Sequence, residues 1–246
     1  MSDGISRFEN FWRQMDTQSA PEYVHPEDKK DLSESDRQFM QLDLLPIPVN
    51  GNLRNADVII LMLNPGFSDS DAQWGTAFSR SVLLDSERAN LLQSDWPDKF
   101  PMFDLNPKLA GSGGAKYWAG PLGPMKGKLG HLAHALAGPD DYLHEDIRKE
   151  LSNRIAIVQR VAYRSKSFRD LHRLRSSQEA FELARSLVAE GEKLVVIPYG
   201  IQHWGYPNPV KTSNLIVYKH GLRAAHIAPT SAGYRAVVER LNQRVA

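Results

Sequence analysis

Asn64 ends an unbroken apolar run, Val58-Ile59-Ile60-Leu61-Met62-Leu63, and is followed by Pro65-Gly66, a pair that continues neither strand nor helix. A polar side chain on a sharp turn after a buried strand projects into the crevice at the carboxyl ends of a sheet. Its amide does not titrate, so Asn64 is no general base, but its carbonyl oxygen can hold and orient a water. A weak nucleophile of that kind suffices where the transition state is dissociative and cationic. N-glycosidic cleavage is such a reaction: the sugar becomes oxocarbenium-like and the base departs with the electron pair. Backbone N–H groups at Gly66 and Phe67 could donate to the departing base, whereas Pro65 has none. The same residues would also make an ordinary strand-to-loop turn.

Other residues carry weaker signals. The segment 199–206 (Tyr-Gly-Ile-Gln-His-Trp-Gly-Tyr) follows an apolar run and is rich in aromatic and amide groups. Gln202 and His203 there could line a pocket, or the loop could simply pack around Trp204. Residues 148–175 hold nine Lys/Arg against two acids. Arg164, Ser165 and Lys166 within that run suit phosphate contact; a solvated basic face is the plainer account. Residues 1–100 carry 9 Lys/Arg against 17 Asp/Glu, and the remainder 21 against 12, an asymmetry that suggests a polyanionic partner. His131 and His134 are spaced for one helix face but lack a third ligand nearby, so no metal is expected. The glycine-rich stretch 111–114 does not directly follow the first strand and reads as a loop. There is no cysteine, which removes thiolate, disulfide and iron–sulfur chemistry. No Gly-Lys-Ser/Thr phosphate loop, dinucleotide fingerprint or Gly-x-Ser-x-Gly elbow occurs. No cofactor is implied.

The elements that must position these groups follow from periodicity and punctuation. Residues 57–63, 155–163 and 193–198 predict buried strands, with a fourth at 214–218 or 224–227. Helices are predicted over 5–20, 35–45, 177–190 with Gly191 as stop, and 231–244. Residues 21–34 read as an acidic loop, and Pro46, Pro48 and Asn50-Gly51 as a turn. Strands alternating with helices predict an α/β fold, a three-layer α/β/α arrangement on a mostly parallel four-stranded sheet. Residues 1–50 would form a helical and loop extension packed on a core domain of 51–246. No apolar stretch approaches the roughly 18 residues of a membrane span, and the N-terminus lacks a signal-peptide core. A cytoplasmic monomer with no membrane partner is expected.

The run ending in Asn64-Pro65-Gly66 resembles the first motif of the uracil-DNA glycosylase superfamily, especially its mismatch-specific branch, whose Asn positions the attacking water. The resemblance gives that role to Asn64 and makes double-stranded DNA with a flipped nucleotide the partner. Pro101-Met102-Phe103, followed by Tyr117-Trp118, resembles the branch's Pro-Phe and later aromatic pair, which would make Phe103 the ring under the flipped base. Phe78 is the rival, at a distance that suits other branches. Residues 228–231 (Ala-Pro-Thr-Ser) stand where the second motif lies, bringing in Thr230 and Ser231. Tyr234 or Arg235 would then wedge into the vacated base stack. Met62 and Ala228 depart from the family pattern. No residue is evident for the uracil-reading amide at the family's third strand. Those departures imply a modified pyrimidine, such as a glucosylated hydroxymethylcytosine of phage DNA met in antiviral defence, before uracil or mismatched thymine. A non-catalytic nucleic-acid-binding protein of the same fold is the rival from another class.

Overall fold

The computed structural model describes residues 3–18, 21–67, 75–120, 127–141, 145–206, 212–218, 227, 229–231 and 233–243. Five strands form one mixed sheet: β1 (Val49–Asn50), β2 (Val58–Met62), β3 (Ile155–Gln159), β4 (Leu194–Ile197) and β5 (Leu215–Val217), in the order β1-β3-β2-β4-β5. β3, β2, β4 and β5 run parallel, and β1 pairs antiparallel with β3 through Val49↔Val158. The expected mostly parallel sheet is present, but it has five strands and not four, the fifth being one short antiparallel edge. Residues 48–50, expected as a turn, supply it. Pro48 has no N–H to give a ladder, so it sits beside the edge strand and only its carbonyl is used, accepting from Gln159 N–H at 2.9 Å.

Both faces of the sheet are covered. Ile59 and Leu61 of β2 join one apolar cluster with α1 (Gly4–Trp12) and α7 (Arg175–Glu190). Val58, Ile60 and Met62 join another with α5 (Gly130–Asp141), α6 (Glu145–Arg154) and α8 (Tyr234–Asn242). Alternate residues therefore feed opposite cores, which is why β2 reads as a continuous apolar run. α7 stops where Gly191 takes the left-handed conformation, φ 75°. The helix expected over 5–20 closes at Trp12, and that over 35–45 is the short α2 (Glu34–Phe39). Residues 224–226, Ala228, Ala232 and Arg244 lie outside the described residues, and with them the alternative fourth strand and parts of the closing segment.

One long helix has no counterpart in the sequence reading: α3 (Ala77–Leu92), capped by Thr76, whose hydroxyl accepts from Ser79 N–H at 3.2 Å. Its buried face includes Ser86, Glu87 and Asn90, which break the apolar period. Asn90 serves two loops at once, accepting from Gly51 N–H at 2.7 Å and donating to the Pro101 carbonyl at 2.9 Å. α4 (Gly113–Trp118) completes the helices used below.

Candidate functional site

The site begins where β2 ends. Asn64 is half-buried, and its Nδ2 donates to Ser165 Oγ at 3.0 Å, to the Ser165 carbonyl at 3.3 Å and to the Pro65 carbonyl at 3.2 Å. Two of these acceptors are carbonyls, which cannot donate, so the nitrogen side of the amide is assigned by its surroundings. Oδ1 has no hydrogen-bond partner among the described residues. Ser165 approaches because Gly66 and Ser165 form an isolated parallel bridge just past the ends of β2 and β3. Pro65 is buried, Phe67 half-buried and Gly66 exposed, with nothing within 4 Å of where a Gly66 Cβ would stand. The arrangement can hold a water on the amide oxygen beside the exposed Gly66, while the parallel bridge directs the Phe67 N–H to the Ser165 carbonyl, away from the expected donor role.

Gln159 is the residue that sequence reasoning missed. It ends β3 opposite Met62, two residues before Asn64 along β2, and is 7% exposed. Its Oε1 is enclosed without a partner. A buried amide oxygen with no donor costs about 1–3 kcal/mol, a standing penalty that a ligand's donor relieves only if the groups enclosing the oxygen move aside. The available signal was the one polar residue ending the apolar run Ile155-Ala156-Ile157-Val158, hidden because that strand was carried on to Tyr163.

His203 lies on the turn after β4, and Gly200 makes the turn possible. Gly200 has φ 72°, and a Cβ there would stand 2.8 Å from Leu63, next to Asn64. His203 Nδ1 meets Asp170 Oδ2 at 2.8 Å, and its ring lies edge-on to Phe168 at 4.7 Å. A carboxylate on Nδ1 orients the imidazole and favours the tautomer whose Nε2 is the acceptor. Gln202 is exposed; residues 207–209 of the same loop lie outside the described residues.

Several expected site residues stand elsewhere. Phe103 is 3% exposed and packs with Ile47 and Leu109 against α3, so its ring has no free face for a base. Phe78, at the start of α3, is 63% exposed. Arg164 turns inward: its guanidinium pairs with Glu87 on α3, at side-chain exposures of 12% and 6%. Burial raises the Glu87 pKa, and the Arg164 charge opposes that rise. Ser165 is buried, its hydroxyl accepting from Asn64 and donating to the Ser167 carbonyl at 2.8 Å, so neither residue is placed for phosphate contact. Lys166 is exposed. In the second-motif region Thr230 is exposed, and Ser231 Oγ meets the Tyr218 hydroxyl at 3.2 Å. Tyr234 packs on the sheet cluster with its hydroxyl donating to the His131 carbonyl at 3.3 Å, whereas Arg235 is exposed.

The basic run is largely matched within the chain. Arg154 pairs with Asp57 at 2.6 Å, Arg164 with Glu87, Arg169 with Asp36 at 3.1 Å, Arg173 also with Asp36, and Arg175 with Glu179 at 2.5 Å. Arg160 is 5% exposed and donates to the His203 carbonyl at 2.8 Å and to the Ser177 carbonyl. Much of the charge asymmetry along the sequence is therefore internal complementarity, with acids of the first hundred residues meeting arginines of the later chain.

Among the described residues no group of three metal-ligating side chains occurs, and no helix is long and apolar enough to cross a membrane. No protein-family model matches the chain, and no curated protein or solved structure is significantly similar to it.

Proposed function

We propose that this protein is a monofunctional DNA glycosylase, built as a three-layer α/β/α domain like the uracil-DNA glycosylases. The observation that carries the reading is Asn64: its Nδ2 is anchored by Ser165 and Pro65 at a strand end and its Oδ1 is uncommitted. In the reaction the target nucleotide leaves the DNA stack and enters the crevice. Asn64 Oδ1 accepts a hydrogen bond from water and turns its lone pair toward C1′ as the glycosidic bond lengthens. The pair of electrons in that bond goes to the base, whose negative charge is met by the backbone N–H of the exposed Gly66. The water oxygen bonds to C1′ and its proton is lost to solvent or base, leaving an abasic site. No lysine is placed as a Schiff-base nucleophile in this scheme, so the strand stays intact.

The substrate in this reading is a pyrimidine larger than uracil, with glucosylated hydroxymethylcytosine of phage DNA the leading case and antiviral defence the context. Gln159 Oε1, enclosed in the free protein, becomes the acceptor for an N–H on the base edge once base entry uncovers it, and Gln202 and His203 are the polar groups for an added substituent. A pocket that hydrogen-bonds extra hydroxyls rejects a base lacking them by several powers of ten, because its own polar groups would stay unpaired. A competition among DNAs carrying uracil, thymine opposite guanine, hydroxymethylcytosine and glucosylated hydroxymethylcytosine, read as abasic sites, tests this. Preference for the glucosylated base is expected. Preference for uracil would assign the protein to ordinary repair, and release of none would favour a non-catalytic nucleic-acid-binding protein.

Two variants test the pocket. Gln159→Leu removes an unpartnered buried amide at nearly constant volume. It should leave the thermal midpoint unchanged or higher while lowering kcat/KM by the worth of one hydrogen bond, about 1–3 kcal/mol. A drop in stability without a change in rate would make Gln159 a framework residue. For stacking, the exposed ring is the candidate: Phe78→Ala should weaken the flipped complex by about 1–3 kcal/mol at unchanged stability. Phe103→Ala should instead destabilise the fold by about 3–5 kcal/mol, the usual result of emptying a buried aromatic position. Thermal unfolding alongside binding to DNA with an extruded base separates the two.

A further inference from the structure

The segment that anchors Asn64 has little regular structure of its own: between β3 and α7, residues 160–174 form no helix or strand beyond the single bridge at Ser165. Such a segment keeps a fixed shape only through contacts made to it from elsewhere. The end of β2, Glu87 and His203 supply some of those contacts, and a second large set comes from residues 24–42. Val24, Leu32, Met40 and Leu42 share an apolar cluster with Val161, Tyr163, Leu171 and Leu174. The buried Tyr163 hydroxyl donates to Asp28 Oδ2 at 2.6 Å, and Asp28 Oδ1 accepts from Ser176 N–H at 3.0 Å. Gln41 N–H donates to the Arg164 carbonyl at 3.0 Å, one residue before Ser165. Asp36 holds Arg169 and Arg173 together, and Arg169 lies over the Phe39 ring with its guanidinium carbon 4.1 Å from the centroid. Burial alone would raise the Asp36 pKa. Hydrogen bonds from Ser33 and then from the two arginines bring it down to about 2, so the carboxylate is charged at any working pH.

We propose that Ser165 and the cradle of residues 24–42 are positioning residues for Asn64, with Asp36 the cradle's ionic latch. The inference rests on Asn64 being the water-holding group, but the coupling itself is structural. An asparagine amide has nitrogen and oxygen ends of nearly the same shape, and only the oxygen can accept from water. The Ser165 hydroxyl donates to the Ser167 carbonyl and so turns a lone pair toward Asn64 Nδ2, which keeps Oδ1 outward. Displacement of the 164–170 segment moves that hydroxyl and the Ser165 carbonyl off line and leaves only the neighbouring Pro65 carbonyl in place. Small misplacements of a reacting group, even from a distant change, are worth up to about 100-fold in rate. The N-terminal region is then a working part of the site and not an appended extension.

The test uses the full chain and two variants, Ser165→Ala and Asp36→Asn. The second keeps one acceptor oxygen for the Ser33 capping contacts, removes the charge and turns the oxygen that faces Arg169 into an N–H donor. Arg169 and Arg173, with side chains 37% and 44% exposed, can then turn to water. The first readout is the Asn64 side-chain amide signal in a nitrogen–proton NMR spectrum, assigned by its disappearance in Asn64→Ala. The second is the single-turnover rate of base release beside the dissociation constant for DNA. Both variants should shift the Asn64 amide signal and speed its hydrogen exchange. Each should slow base release by about 10-fold with DNA affinity within about 2-fold, and the double variant should be little slower than either, since both act on one line of contacts. If Asp36→Asn fails to fold, Arg169→Gln carries the same measurements. An unmoved amide signal in Asp36→Asn or Arg169→Gln overturns the inference, whatever the activity. A shifted signal in a protein that releases no base from any DNA upholds the inference and rejects the glycosylase reading alone.

Discussion

Asn64→Ala should lose base release by about 100- to 1,000-fold, the range expected when one preorganised amide that acts in the transition state is removed. The loss should fall on the chemical step under single-turnover conditions, with DNA affinity and thermal midpoint nearly unchanged. Two features of the structure set that expectation. The side chain is half-buried and neutral, so truncating it leaves no stranded charge. Its Oδ1 makes no bond to the protein among the described residues, so what is removed acts mainly in the transition state. Asn64→Asp is the informative companion: it keeps an oxygen at the Oδ1 position but turns the Nδ2 donor into a second acceptor facing the Ser165 and Pro65 carbonyls. It should be impaired by misplacement and not by loss of the acceptor. Near-normal release by Asn64→Ala would remove Asn64 from the mechanism.

Glu87→Ala should cost about 3–5 kcal/mol of stability, because it leaves the Arg164 guanidinium buried without its counter-charge. Arg164 Nε is already enclosed without a partner, so no second acceptor stands ready to compensate. Replacing both partners with apolar residues of similar volume, Glu87→Leu with Arg164→Met, should recover most of the loss. Buried pairs draw much of their measured cost from the orphaned charge and not from the pair itself. Urea unfolding midpoints for the single and double variants decide this. A single-variant cost under about 1 kcal/mol would mean that water reaches Arg164 and screens it as at a surface. The same residue would then be available to phosphate after all.

What was legible in the sequence was local. β2, β3 and β4 read as apolar runs because both faces of each strand are buried, and α7 ended where Gly191 stood. Asn64 could be found because a polar residue followed by Pro-Gly is visible within a few positions of a buried strand. What was not legible depended on partners far along the chain. Arg164 looked available to phosphate until α3 brought Glu87, 77 residues away, against it. Phe103 looked like a stacking ring until the same helix covered it. α3 escaped notice because Ser86, Glu87 and Asn90 occupy its buried side, where periodicity expects apolar residues. The antiparallel β1 is two residues long and follows a proline, so nothing local distinguishes it from a turn. Gln159 was visible as a polar end to an apolar strand, but its unmet hydrogen-bonding capacity appears only once its surroundings are known.

The identity of what leaves the DNA tests the central claim most directly. Duplex DNA carrying glucosylated hydroxymethylcytosine, incubated with excess protein, would be separated into small molecules and strand, and both weighed by mass spectrometry. The account predicts the intact modified base in solution, one abasic site in an unbroken strand for each base released, and neither product with Asn64→Ala. Release of nucleotides or strand fragments, or of the base at equal rate by Asn64→Ala, would contradict it.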